Sequence, residues 1–198
     1  MTFGVKVWPC YFMCDASASM GGITIDLANS ALEKIWIEMI KSPAVSDKAW
    51  VSVISFSDTA EVLVPLTESL GLSEMPVCLA GGIANYGRAF RKIRETIDND
   101  VLRLKSEGFR VIRPVIFFIS NGQPADEDWR HAYADLVDEG SVFRPHITGF
   151  ACNSSANEIL GEVATSRGVS GISSVCNLTD AAALMEQLRE MFTEIIRL

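Results

Sequence analysis

The chain has 198 residues, a net charge of −8, 48% hydrophobic and 21% charged residues. That length suits one domain over residues 1–198 with a continuous core, and the acidic balance argues against nucleic acid or an anionic membrane surface as the main partner. No apolar run approaches the roughly 18 residues of a membrane span and no basic-then-apolar leader opens the chain, so a cytoplasmic protein is expected, without a membrane role.

Residues 7–14 form an uncharged apolar run, which reads as a buried strand of a parallel sheet. Residues 23–41 carry apolar side chains at helical spacing, and Ser42-Pro43 ends that helix. Residues 50–56 read as a second buried strand. Residues 60–66 follow too soon for a helical crossover, so that strand pairs antiparallel, and Pro65 makes it an edge strand. A loop over residues 71–85 leads into a long helix, residues 86–106, closed by Gly108. A central strand is expected at 113–119, a helix with an acidic first turn at 126–139, a strand at 146–151 and a helix at 155–167. A short strand at 172–175 and a helix at 179–197, capped by Thr179, complete the chain. The fold expected is a doubly wound α/β domain: a mostly parallel six-stranded sheet, one antiparallel edge strand, and helices on both faces. The five cysteines (Cys10, Cys14, Cys78, Cys152 and Cys176) form no paired motif, and apart from Cys78 they sit in or beside apolar runs, as reduced core thiols do.

Ligands of open α/β sheets bind beyond the carboxyl ends of the strands. Asp15-x-Ser17-x-Ser19 stands at that position after the first strand. One carboxylate and two hydroxyls in a tight turn make an oxygen-rich centre of the kind hard cations prefer. The same residues also suit a capping turn. Two further loops belong to the same edge: Gly81-Gly82-Ile83-Ala84-Asn85-Tyr86-Gly87 before the long helix, and Ser120-Asn121-Gly122-Gln123-Pro124 after the central strand. Asn121-Gly122 also fits an ordinary turn. The glycines of the middle loop fit no phosphate-binding motif. His131 and His146 lack metal-ligand spacing with cysteine, which excludes a zinc site of the usual kind.

These three loops, in this order, resemble a von Willebrand factor type A domain, and within that family the bacterial tellurite-resistance Y group. The resemblance implies a metal-ion-dependent adhesion site in a non-enzymatic protein-binding module. Asp15, Ser17, Ser19 and Asn121 would be its ligands, with Asp126 and Asn85 as weaker candidates. Met20, Gly21, Gly82, Ala84, Tyr86, Gln123 and Trp129 would form the partner-binding rim. The cofactor implied is Mg²⁺ (or Mn²⁺ or Ca²⁺), and the partner a protein that donates a carboxylate, of the kinase or phosphatase type in a stress-response system. Two positions depart from the family pattern. Ala84 stands where a threonine ligand is usual, and Asn121 where an aspartate is usual. Affinity falls with ligand charge, so a weakened or empty site is expected. A metal-free scaffold is the first alternative. A phosphotransferase or phosphohydrolase with Asp15 as nucleophile is the second; it lacks a second acid, since Ser17 stands two residues on.

Overall fold

The computed structural model describes residues 4–165 and 175–180, together with 185, 186, 188–190, 192 and 193. The strands are β1 (Lys6–Asp15), β2 (Ala49–Phe56), β3 (Ala60–Glu68), β4 (Arg110–Val111), β5 (Val115–Ser120), β6 (His146–Ala151) and β7 (Val175–Asn177). The helices are α1 (Ile23–Lys41), α2 (Pro43–Ser46), α3 (Tyr86–Ser106), α4 (Trp129–Leu136) and α5 (Asn157–Val163). The strands join in one sheet of order β3-β2-β1-β5-β6-β7, with β4 beside β1. Among the described residues, only the β2–β3 pair is antiparallel. The loop between them is too short for a crossover, and β3 lies at the edge with Pro65 in it.

Alternation along the strands sorts side chains into two cores. Trp8, Cys10, Phe12 and Cys14 of β1 face one way with Val115, Phe117 and Ile119 of β5, under Ile25, Leu32, Ile35 and Met39 of α1. Val7, Tyr11, Met13, Ile116 and Phe118 face the other way, under Phe90, Ile93, Ile97 and Leu104 of α3 and residues of α4 and α5. A strand buried on both faces must be apolar throughout, which is why β1 and β5 read as continuous runs. All five cysteines are buried free thiols.

Three expectations are corrected. The strand foreseen at 113–119 starts at Val115, and a two-residue strand, β4, precedes it, so the sheet has seven strands among the described residues and not six. Pro114 has no N–H for the ladder. Val7 pairs with Val111 and Cys10 with Val115, so three steps on β1 oppose four on its partner, and the excess residue lies around Arg113-Pro114. The helix foreseen from Asp126 starts at Trp129, because Asp126 is held at the start of α3. The helix foreseen at 155–167 is a 3-10 turn, Ser154–Ala156, followed by α5, which ends at Val163. Residues 166–174 and most of the foreseen terminal helix lie outside the described residues.

Candidate functional site at the loop end of the sheet

Asp15 ends β1 and Ser120 ends the adjacent parallel strand β5, so the loops that follow them meet on one edge. Asp15 is fully buried. Its Oδ1 accepts from the Ser17 N–H at 2.9 Å, and its Oδ2 accepts from Ser120 Oγ at 2.6 Å. That bond uses the only proton of the Ser120 hydroxyl. The 2.6 Å contact between Ser120 Oγ and the Tyr86 hydroxyl therefore has Tyr86 as donor. Burial, with the Asp15 charge nearby, drives the Tyr86 phenol far above its ordinary pKa and keeps it a donor. Burial also raises the Asp15 carboxyl above its ordinary value, while the bonds from Ser120 and Ser17 pull it back.

Ser17 Oγ and Ser19 Oγ lie 3.0 Å apart. Asn121 closes the group, donating from Nδ2 to Ser19 Oγ at 2.9 Å and to the Ser19 carbonyl at 3.0 Å. The carbonyl can only accept, which fixes the amide's orientation. Asn121 Oδ1 is then left buried without a hydrogen-bond partner. The structure thus brings Asp15, Ser17, Ser19 and Asn121 together. Two glycines allow the loops to fit. Gly82 has φ +71°, and a Cβ there would strike the Asp58 carboxylate. Gly122 has φ +74°, and a Cβ there would lie 2.6 Å from Ala156 Cα. The Gly82 carbonyl accepts from the Ala18 N–H at 2.9 Å, and the Gly81 N–H donates to the Ala16 carbonyl at 2.8 Å, joining the first two loops.

The weaker ligand candidates are committed elsewhere. The Asp126 carboxylate accepts from the N–H groups of Tyr86 at 2.8 Å and Gly87 at 2.7 Å, capping α3. Asn85 Oδ1 accepts from the Arg88 N–H at 2.8 Å, capping the same helix. The expected rim divides. Gly21, Gly82 and Gln123 are exposed. Met20, Ala84, Tyr86 and Trp129 are buried and offer no surface. Trp129 packs against Tyr86, Phe90 and Tyr133, and the Arg130 guanidinium covers its ring at 4.5 Å.

Ser120 went unassigned in the sequence, although a hydroxyl ending an apolar strand at the ligand edge was a usable signal. The apolar surface around the site was missed as well. Ile23, Val77, Leu79 and Ile83 are 79%, 68%, 81% and 57% exposed. Asn29 fixes two of them in place: its Nδ2 donates to the Cys78 carbonyl at 3.0 Å and its Oδ1 accepts from the Cys78 N–H at 2.9 Å. Cys78 is held inward, and its neighbours Val77 and Leu79 project outward.

Among the described residues, no group of three or more His, Cys, Asp or Glu side chains could hold a metal ion, and no helix is long and apolar enough to cross a membrane. No curated protein matches the sequence. Solved structures share the fold. Proximal thread matrix protein 1 of the mussel byssus superposes with a TM-score of 0.67 at 15% identity, over 98% of this chain and 49% of its own. An aerotolerance-related membrane protein of Bacteroides fragilis gives 0.59 at 15% identity, over 97% of this chain and 100% of its own. A von Willebrand factor type A protein of Catenulispora acidiphila gives 0.58 at 18% identity, over 95% of this chain and 42% of its own. This chain thus spans about half the length of the mussel protein. The model of the von Willebrand factor type A domain matches residues 10–123, more than half of the chain. The chain belongs to the von Willebrand factor type A domain family, whose domains are generally interaction modules rather than enzymes.

Proposed function

We propose that this domain binds a protein partner through the loop end of its sheet. The observation that carries this reading is the set of exposed apolar side chains: Ile23 at the start of α1, and Val77, Leu79 and Ile83 on the loop before α3, which bonds to Asn29 and to the first loop hold in place. Large apolar groups held in water beside a few oriented polar groups are what an interface core requires. The partner we infer brings an apolar surface to these residues and an acidic side chain to the exposed hydroxyl of Ser19. A bacterial stress-response system with kinase or phosphatase components, as in the group the loops resemble, is the setting we propose.

The donor set is a poor fit for a tightly held divalent cation. The 3.0 Å between the two serine oxygens would suit adjacent ligands of an octahedral ion with bonds of about 2.1 Å. Against this, Asn121 turns an N–H toward Ser19, where a cation needs an acceptor. Ala84 offers no side-chain oxygen, and those of Asp126 and Asn85 cap α3. Of the four residues that converge, Asp15 alone carries a carboxylate, and both its oxygens already accept. The same enclosure argues against Asp15 as a nucleophile, since a substrate cannot reach it.

The test is photo-crosslinking from position 83 in the organism of origin, with position 102 as control. Leu102 is equally exposed but lies on α3. One protein captured from 83, absent from 102 and lost in Leu79→Asp, supports the reading. Equal capture from both positions overturns it. In calorimetry, the native chain should take up Mn²⁺ no more tightly than about millimolar, and Asn121→Asp with Ala84→Thr should bind about tenfold or more tightly. Micromolar uptake by the native chain would overturn the poor-fit assignment.

A further inference from the structure

A second polar feature lies at the opposite end of the strands. A cavity of about 400 Å³ opens between the end of α3, the β4–β5 connection and residues 139–144. Lys105, Arg113 and Arg144 line it, and Glu139 is the only acid among its lining residues. In a chain of net charge −8 this is a local excess of positive charge. The extra residue in the β4–β5 register lies in the segment that carries Arg113, and this side chain lines the cavity.

The three cations are held, but mostly without neutralisation. Arg113 Nε donates to the Arg144 carbonyl at 2.8 Å, so a neutral backbone group orients it. Lys105 Nζ lies 4.5 Å from the centre of the Phe143 ring. Arg144 pairs with Glu139 at 3.3 Å, and that carboxylate's side chain is 91% exposed, which makes it a weak counter-ion. Arg144 Nε is buried with no hydrogen-bond partner, and so is Nδ1 of the neighbouring His146. Burial lowers the Arg113 pKa, and repulsion from Arg144 lowers it further. Burial and the two arginines hold His146 at a pKa of about 4, so it is neutral at ordinary pH. Val101 and Pro114 add buried apolar wall.

We propose that this cavity binds a phosphomonoester, with its dianionic phosphate between Arg113, Arg144 and Lys105 and its organic group against the apolar wall. Three cations less one exposed acid leave a charge that a phosphate dianion balances, and guanidinium groups match its oxygens in pairs. The proposal goes beyond the partner-binding reading and does not depend on it.

The test is an NMR titration of the full chain with phenyl phosphate, and separately with inorganic phosphate, at neutral pH and constant ionic strength. The two histidines are the reporters. An anion between the arginines changes the field at the neighbouring His146, so its ring resonances should shift saturably while those of His131, exposed on α4, do not. Phenyl phosphate should bind several-fold more tightly than inorganic phosphate. Arg144→Gln should weaken binding about tenfold or more. Arg113→Gln can also loosen the segment it anchors, so Lys105→Gln, at the exposed end of α3, is the second variant, with a several-fold loss and unchanged thermal unfolding. No saturable movement of His146, equal movement of both histidines, or unchanged affinity in Arg144→Gln and Lys105→Gln overturns the proposal. Binding of inorganic phosphate alone overturns the monoester assignment.

Discussion

Asp15 carries a carboxylate where water does not reach it, and its two oxygens are met by one hydroxyl and one backbone N–H. Burial raises its pKa from the ordinary 3.8. A raised acid binds a proton in the folded chain at a pH where the unfolded chain has lost it. Its contribution is therefore most favourable below 3.8 and falls as pH rises through the folded value. Urea unfolding of the native chain and of Asp15→Asn, compared point by point through the acid range, should give a difference that grows in favour of the variant as pH rises through that window. A flat difference would refute the raised pKa. Tyr86→Phe keeps the ring contacts and removes the donor to Ser120, with an expected cost of about 1 kcal/mol in the same assay. Asp15, Ser17, Ser19 and Asn121 could be read from the sequence because a motif after an apolar strand points to the ligand edge. The capping roles of Asp126 and Asn85 could not, because the same carboxylate or amide oxygen serves a loop or a helix start, and only the chain's return decides between them.

Among the elements, α3 is fixed at its start by two side chains, one local and one from the far loop. Asp126→Ala removes two charge-assisted bonds at the positive end of a helix dipole. It should lower stability by about 1–2 kcal/mol, measured by thermal unfolding. It should also free the loop from residue 121 onward, giving faster hydrogen exchange at the Ala125 amide, which donates to the Ala84 carbonyl. Unchanged exchange would mean that the loop is held by other means. The bounds of α1, α3 and β6 follow from their apolar spacing and match those expected. The bounds of β5 and α4 do not. Pro114 interrupts the ladder of one, and the tie of Asp126 to another helix starts the other late, neither of which local periodicity encodes.

For the molecule as a whole, the two cores follow from strands whose alternate residues are apolar on both faces, so the layer order was legible before any coordinates. The exposed apolar side chains were not, because the loop pattern does not tell which way Ile23, Val77, Leu79 and Ile83 face; Asn29, by holding Cys78 inward, decides it for Val77 and Leu79. Asn29→Ala should therefore weaken capture of a partner about tenfold while thermal stability changes by only about 1–2 kcal/mol. Weaker capture that only follows the fraction of unfolded chain would make Asn29 a merely structural residue.

The pairing of Asn121 with Gly122 carries a chemical consequence. In an Asn-Gly sequence the glycine nitrogen readily attacks the side-chain carbonyl, expels ammonia and closes a succinimide, which water opens to aspartate or isoaspartate. Here the Gly122 N–H is held by Ser120 Oγ at 3.0 Å, and the Asn121 amide is tethered to Ser19, so neither is free to cyclise. Folding thus protects the amide from ageing. Chain stored in denaturant should turn acidic on isoelectric focusing far sooner than native chain, and after refolding it would carry the negative charge this position otherwise lacks.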